Sequence, residues 1–238
     1  MTSFYPRSLI DRSAHNWVWK KELLEGLSGL TMVTPSKWLR ALVEKSFLGR
    51  HPIHVINNGI DLQIFRPNSR DSGKIVLGVA NSWDGRKGLA DFKALREHLP
   101  LDWKIRLVGL TRKQVESLPI GIDGIERTDS VGELAEMYSE ATVFVNPTYS
   151  DNFPTTNLEA LACGTPVVTY RTGGSPEAVA ESTGRVVDQG EVSDLALAVR
   201  EIASKPREVW REHCRQHAVA NFSATERFSD YVDLVEKI

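Results

Sequence analysis

Short apolar runs alternate with stretches of helical periodicity from residue 74 to the end of the chain, and this alternation constrains the fold most strongly. The first run, residues 74–80, is β-branched and almost uninterrupted, which is typical of a strand buried on both faces. In residues 87–98, which follow, apolar side chains recur at helical spacing. Such alternation predicts βαβ units. We therefore expect an α/β fold, a Rossmann-like parallel sheet sandwiched by helices.

The remaining elements follow from the same patterns. Further strands are predicted at residues 103–109, 141–147, 165–170 and 184–187. Further helices are predicted at residues 130–139 and 157–163 and from about residues 193, 207 and 225. The part before residue 67 is less regular, with helices predicted at 14–27 and 36–47 and strands at 30–34 and 54–57. The polar segment 66–73 is the predicted linker.

Composition excludes several classes of protein. The 238 residues include 29 Lys and Arg against 31 Asp and Glu, so no basic surplus indicates a nucleic-acid partner. The two cysteines, Cys163 and Cys214, are too few for a disulfide scaffold and fit no zinc signature. No apolar run approaches the ~20 residues of a membrane-spanning helix, and no signal peptide is evident. We expect a cytoplasmic protein and leave peripheral contact with the inner membrane face open.

Parallel α/β sheets bind ligands at the carboxyl ends of their strands, so the loops there form the candidate site. In the first loop Asn81 follows a strand, and Arg86 and Lys87 precede a helix. The N–H groups at a helix N-terminus attract anions, and a neighbouring cation strengthens a phosphate site. The alternative is a solvated turn that carries two cations. Trp83 lies in the same loop, and it is the one tryptophan that we consider for a role in the site as well as for packing.

The loop of residues 150–157 carries a second set of candidates. Asp151 lies near its start, and Glu159 lies one turn inside the following helix. Thr155 and Thr156 can present N–H groups at the start of that helix, and carboxylates accept pairs of hydrogen bonds from hydroxyl groups. This combination suits a polyhydroxylated, phosphorylated ligand. The alternative is a helix cap followed by a surface glutamate.

Two further loops complete this edge of the predicted sheet. In residues 172–177 paired glycines let a ligand approach the backbone, although an ordinary strand-to-helix turn has the same pattern. In residues 127–131 Ser130 is expected to cap a helix, because Glu133 stands at capping-box spacing. No G-x-G-x-x-G follows the first strand and no P-loop sequence occurs, which argues against a dinucleotide dehydrogenase and a P-loop NTPase.

Taken together, these segments resemble motifs of the retaining GT-B glycosyltransferases of glycosyltransferase family four. Residues 151–169, DNFPTTNLEALACGTPVVT, are similar to that family's E-x(7)-E motif and its trailing E-A-x-A-C-G-x-P-V-V. Residues 173–177 and 183–187 resemble its G-G-x-x-E and t-G-x-l-v segments. The remaining similarities are to the interdomain N-G-[IV]-D…F-x-P segment and the K-G phosphate loop, at residues 57–61, 65–67 and 86–88.

The resemblance implies retaining transfer of a sugar from a nucleoside diphosphate sugar to a hydroxyl of a sugar or glycolipid, without a metal or other cofactor. It is the chemistry of polysaccharide and glycolipid synthesis. The implied catalytic residues are Lys87, which would hold the diphosphate, Glu159, which would bind the ribose hydroxyls, and Asp151, which would hold the donor sugar. The other implied donor- or nucleotide-binding residues are Asn81, Arg86, Thr128, Val131, Asn152, Phe153, Thr155 and Thr156.

Two positions depart from the family pattern. Asp151 stands where the family has Glu, so its contact with the donor sugar would shift or pass through water. Ala80 and Asn81 stand where the family often has Gly-Arg, so one cationic partner of the diphosphate is lost. Arg86 is the candidate substitute.

The resemblance covers only part of the family's two-domain architecture. Residues 1–66 would be a remnant of the N-terminal acceptor domain with the interdomain segment, 67–222 the donor-binding domain, and 223–238 a C-terminal helix. We expect a truncated chain that binds the donor, transfers little, and self-associates through apolar surface on the remnant. The alternatives are a non-catalytic nucleotide-sugar-binding module and a GT-B-related epimerase or phosphorylase.

Overall fold

The computed structural model describes residues 11–68 and 73–238. The first ten residues and positions 69–72 of the predicted linker lie outside the described residues. The N-terminal part begins with a helix and continues as a strand–helix–strand unit whose strands pair in parallel as a small separate sheet. Its elements are α1 (Ser13–Glu25), β1 (Met32–Thr34), α2 (Lys37–Glu44) and β2 (Ile53–Val55).

The larger part is a six-stranded sheet in which every pairing is parallel. Its strands are β3 (Ile75–Val79), β4 (Lys104–Val108), β5 (Ile122–Ile125), β6 (Val143–Asn146), β7 (Val167–Tyr170) and β8 (Gly184–Val187). They lie in the order β5-β4-β3-β6-β7-β8, so the direction of progress through the sheet reverses between β3 and β6. Rossmann folds share this order, and the reversal opens a crevice beyond the strand ends.

Helices cover both faces of this sheet. They are α3 (Leu89–His98), α4 (Arg112–Glu116), α5 (Val131–Glu140), α6 (Thr155–Ala162), a 3₁₀ turn (Ser175–Ala178), α7 (Val192–Ala203), α8 (Arg207–Phe222) and α9 (Ala224–Val235). Helices α3 and α7 pack together on one face, and α5, α6 and α8 lie on the other. Val76 and Leu77, successive residues of β3, are fully buried in opposite layers. The predicted sheet covered on both faces is therefore confirmed.

The sequence did not predict α4 and β5. The strand β5 reads Ile-Asp-Gly-Ile, so local alternation is too short to detect, and it forms because β4 offers an edge to pair with. The helix α4 has only five residues but carries a complete capping box between Thr111 and Gln114. No helix of the described residues has the length and apolar character to span a bilayer.

The C-terminal segment returns to the N-terminal part. The junction between α8 and α9 forms a parallel bridge in which Ile60 N–H donates to the carbonyl of Phe222, and Ala224 N–H donates to the carbonyl of Ile60. A Cβ at Gly59 would lie 2.5 Å from the Cα of Ala224, so only glycine fits this crossing. Helix α9 then lies beside β2, where the two line a shared hollow. The Asn-Asn-Gly-Ile segment is therefore a junction between the two parts of the molecule.

Candidate functional site

The loops after β3 and β6 meet where the strand order reverses. The backbone N–H of Tyr149 donates to the carbonyl of Arg86 at 2.7 Å, which joins the two loops. The Nζ of Lys87 lies 2.7 Å from Oδ2 of Asp151, and both side chains are partly exposed. The structure thus brings together two predicted site residues that are 64 positions apart in the sequence.

Gly88 allows this approach. It precedes α3 with φ +71°, a left-handed conformation that glycine adopts without strain. A Cβ at Gly88 would lie 2.4 Å from the carbonyl oxygen of Pro147, so the close contact between the loops also requires glycine. The Lys-Gly pair in the sequence therefore places a cation at the N-terminus of α3 and the helix against the loop after β6.

Arg86 and Trp83 of the first loop already have hydrogen-bond partners in the structure. The guanidinium of Arg86 donates to Oδ2 of Asp84 at 2.7 Å, and the same hydrogen bonding lowers the pKa of Asp84. A diphosphate would therefore compete with Asp84 for Arg86. Trp83 is 7% exposed and its Nε1 donates to the carbonyl of Val108 at 2.9 Å. Its indole holds the loop against the core, so Trp83 is a packing residue.

Glu159 is oriented by a buried tyrosine. The hydroxyl of Tyr138 donates to Oε2 of Glu159 at 2.7 Å across the interface between α5 and α6. Burial raises the pKa of Glu159 above its ordinary value, and hydrogen bonds from Tyr138 and Thr155 partly offset that rise. The carboxylate thus has a fixed orientation, and Glu159 lines a cleft at the strand ends.

This cleft has a volume of about 610 Å³, within the range of small-molecule sites. It brings together predicted residues from three parts of the chain, the ends of β3 and β5 and the first turn of α6. The predicted residues that line it are Asn81, Thr128, Thr155, Thr156 and Glu159. Glu126, Arg127 and Gly109 line it as well, and the sequence analysis did not predict them as site residues. Their positions in the sequence could have identified them, because they follow the carboxyl ends of β5 and β4.

The N-terminus of α6 opens onto the same cleft. Pro154 precedes the helix and provides no side-chain cap. Within residues 11–68 and 73–238, the N–H groups of Thr155 and Thr156 have no hydrogen-bond acceptor. Two free N–H groups and the helix dipole make this end of the cleft suitable for an anion or a polar ligand.

Other predicted residues lie elsewhere. The side chain of Phe153 is 3% exposed and packs edge-on against Phe222, so only its backbone is available to a ligand. Asn152 is exposed beside it. Val131 is 52% exposed and lines a different hollow, beside Arg66. In the part of the chain that the structure describes, no three His, Cys, Asp or Glu side chains are grouped to hold a metal.

Comparison with known families identifies the fold. Residues 75–205, more than half of the chain, match the family model described as glycosyl transferases group 1. The chain belongs to this family. The matched segment contains all six strands of the large sheet together with Lys87, Asp151 and Glu159. The resemblance inferred from the motifs is therefore confirmed.

The curated relatives that this group 1 chain matches are longer than the chain itself. A D-inositol 3-phosphate glycosyltransferase of Mycolicibacterium smegmatis is 28% identical over an alignment 197 residues long that covers 73% of this chain and 45% of the relative. Sucrose-phosphate synthase from Thermosynechococcus elongatus has a TM-score of 0.83 at 24% identity, over 97% of this chain and 64% of that one. Anabaena HepE in complex with UDP-glucose has a TM-score of 0.78 at 17% identity, over 95% and 68%. The chain thus spans less than half of the curated relative and shares the fold of both structures.

Proposed function

We propose that this group 1 chain binds a nucleoside diphosphate sugar in the cleft and supplies the donor side of a retaining transfer to a hydroxyl acceptor. The observation that carries the proposal is the convergence at one sheet edge of Glu159, the α6 N-terminus and the Lys87–Asp151 pair. The structural similarity to Anabaena HepE, solved with UDP-glucose, supports a nucleotide sugar as the ligand.

Each group has a distinct task in this proposal. Glu159, held by Tyr138, accepts hydrogen bonds from the ribose hydroxyls, for which a carboxylate has enough lone pairs. Lys87 lies at the N-terminus of α3 and stabilises the negative charge that grows on the diphosphate as it leaves. Asp151 and the backbone of residues 152–156 hold the donor sugar. Asn81, Arg86 and Thr128 are proposed to contribute further nucleotide contacts, whereas Val131 lines a different hollow and is not part of the proposed site.

We also propose a sugar or glycolipid hydroxyl as the acceptor, which the motif resemblance supports. The proposed location is the cytoplasm, and peripheral contact with the inner membrane face stays an open alternative. The proposed limits of the parts are residues 1–66, 67–222 and 223–238, and limited proteolysis would test them.

Thermal unfolding with a panel of ligands tests the proposal. UDP, GDP, ADP, their glucose conjugates and the free nucleosides are added at millimolar concentration, and a ligand that binds only the folded state raises Tm. We expect one nucleotide and its conjugate to raise Tm and the free nucleosides to do so much less. No shift with any member would contradict the proposal. A separate assay of sugar transfer distinguishes the alternatives. Binding without transfer to any acceptor would favour a non-catalytic nucleotide-sugar-binding module. An epimerised or phosphorolysed sugar product would favour a GT-B-related epimerase or phosphorylase.

A further inference from the structure

Glu177 links the two parts of the molecule through the N-terminus of α2. Its Oε2 accepts a hydrogen bond from Lys37 N–H at 2.9 Å, and its Oε1 accepts one from Trp38 N–H at 2.8 Å. The next N–H, that of Leu39, is bonded to the hydroxyl of Ser36 at 3.1 Å. The first three N–H groups of α2 are therefore satisfied, two of them by a carboxylate about 140 residues away. A carboxylate is well placed at a helix N-terminus because it also complements the helix dipole.

Glu177 lies four residues after Gly173, and the Gly173–Gly174 pair contacts the loop that carries Asp151. Gly174 N–H donates to the carbonyl of Asp151 at 3.1 Å. A Cβ at Gly173 would lie 1.9 Å from that carbonyl oxygen, and one at Gly174 would lie 1.9 Å from the carbonyl oxygen of Asn152. The glycine pair thus presses its backbone against residues 151–152. A side chain at either position would separate the two loops.

A rigid turn joins Glu177 to this glycine pair. Glu177 N–H donates to the carbonyl of Gly174 at 3.2 Å. Ser175, between them, is fully buried, and its backbone carbonyl and its hydroxyl both accept hydrogen bonds from the Asn157 side chain in α6. The hydroxyl of Ser175 also lies 2.6 Å from that of Thr169. Because these hydrogen bonds fix the turn, a displacement of Glu177 also displaces the glycine pair.

A second tether acts on the same loop. The side-chain amide of Asn58 donates to the carbonyl of Phe153 at 3.0 Å, and that of Asn57 donates to the carbonyl of Pro35 at 2.7 Å. The carbonyls of Asp151 and Phe153 are thus both held, one through the glycine pair and one from the interdomain junction. The conformation of this loop depends on where α2 and the junction lie.

We propose that Glu177 is a positioning residue: by capping α2 it holds the Gly173–Gly174 backbone against residues 151–153 and so preorganises the loop for the sugar of the donor. This inference rests on the proposed function, in which that loop contacts the sugar while Glu159 and Lys87 contact the nucleotide. Loss of the cap should therefore weaken binding of the nucleotide sugar more than binding of the nucleotide.

Calorimetry on three variants tests the coupling. The ligands are the nucleotide of the panel that the wild type binds and its glucose conjugate. Glu177→Gln leaves one acceptor for two N–H groups and should weaken binding of the conjugate about fivefold relative to the nucleotide. Glu177→Asp keeps the charge and should recover part of the loss. Arg40→Ala removes the ion pair of Arg40 with Glu44 inside α2, away from Glu177 and the glycine pair, and should leave the ratio of the two affinities unchanged. Equal losses for both ligands, or none, would overturn the inference.

Amide hydrogen exchange provides a readout that needs no ligand. Glu177→Gln should speed exchange at residues 37–38 and also at Gly174, whose N–H donates to the carbonyl of Asp151, whereas Arg40→Ala should act only on α2. Faster exchange confined to residues 37–38 would show that Glu177 is a helix cap and nothing more. If the wild type binds no ligand of the panel, the proposed function fails, and the exchange result still decides whether the two segments are coupled.

Discussion

At the scale of single residues, Glu159 and Lys87 divide the nucleotide between them in the proposed function. Their environments differ. Glu159 lies against a buried tyrosine, and Lys87 is partly exposed and paired with a carboxylate. We therefore expect substitution of Glu159 to weaken binding of the ribose and substitution of Lys87 to weaken binding of the diphosphate.

Glu159→Gln should weaken nucleotide binding about ten- to a hundredfold without unfolding the chain, because a charged hydrogen-bonding arrangement is worth roughly 1.5–3 kcal/mol. The amide retains an oxygen that can accept the hydrogen bond from Tyr138. Calorimetry with the nucleotide that the wild type binds measures the change. Unchanged affinity would remove the ribose role from Glu159.

Lys87→Ala should reduce affinity for a nucleoside diphosphate much more than for the free nucleoside. The reason is that the ammonium group lies beside the N-terminus of α3, where a phosphate gains from both charges. Competition binding with nucleoside, monophosphate and diphosphate gives the dependence on phosphate number. Equal losses for all three ligands would assign Lys87 a structural role through its ion pair with Asp151.

The raised pKa of Glu159 predicts a pH-dependent stability. Because burial raises this pKa in the folded chain, the folded state holds the proton more tightly than the unfolded state. The free energy of unfolding therefore falls as pH rises from the ordinary range of a glutamate through the raised value. Glu159→Gln should raise Tm of the ligand-free protein at neutral pH and change it little in acid.

Glu201→Gln is the matched control. The guanidinium of Arg185 holds the pKa of Glu201 below its ordinary value, so its contribution to stability has the opposite sign. Thermal unfolding over a pH series should show a lower Tm for this variant at neutral pH and convergence with wild type in acid. If both variants moved Tm in the same direction, burial of Glu159 would not be the cause of its shift.

At the scale of elements, the start of α3 depends on the glycine that follows Lys87. Gly88→Ala should destabilise the chain by more than the roughly 1–2 kcal/mol of left-handed strain, because the added Cβ meets the carbonyl of Pro147 at 2.4 Å. Gly190→Ala is the control, since Gly190 has φ +86° but its Cβ would meet only the hydroxyl of Tyr149, at 4.0 Å. Urea unfolding compares the two. An equal loss of unfolding free energy in both variants would show that the loops after β3 and β6 can move apart without destabilising the chain.

The strands and helices also show which parts of the fold the local sequence pattern predicted. The strands β3, β4, β6, β7 and β8 were predicted because each is an apolar run. Helix α6 begins at Thr155, two residues before the predicted start, and its first turn includes the two threonines that follow Pro154. Strand β5 was missed because its pattern is short and its pairing partner is supplied by the sheet.

At the scale of the whole molecule, apolar side chains are concentrated on the surface of α1 and α9. Trp17 and Trp19 are 54% and 58% exposed, and Phe228 and Val235 are 70% and 72% exposed. We expect the chain to self-associate through this surface. Sedimentation should show concentration-dependent association that the double variant Phe228→Ser, Val235→Ser reduces. Leu197→Ser, which removes an apolar group 60% exposed on α7, should not reduce it, and a monomeric wild type would contradict the prediction.

The sequence by itself determined the alternation of strands and helices, the order of the loops and the identity of five residues that line the cleft. Periodicity and capping are local properties, so Ser130 was correctly predicted to cap α5, where its hydroxyl accepts from Glu133 N–H. The packing role of Trp83 was not local, because the acceptor of its indole N–H is Val108, on the neighbouring strand.

Tertiary structure alone decided the contacts between distant segments. The pairing of Lys87 with Asp151 exists because β3 and β6 are neighbours in the sheet, and strand order is set by how the two faces are buried and covered. Glu177 finds the N-terminus of α2 because the N-terminal part folds back onto the glycine loop. Both contacts join groups whose spacing along the chain carries no signal, since their energy depends on position in space and not on sequence separation.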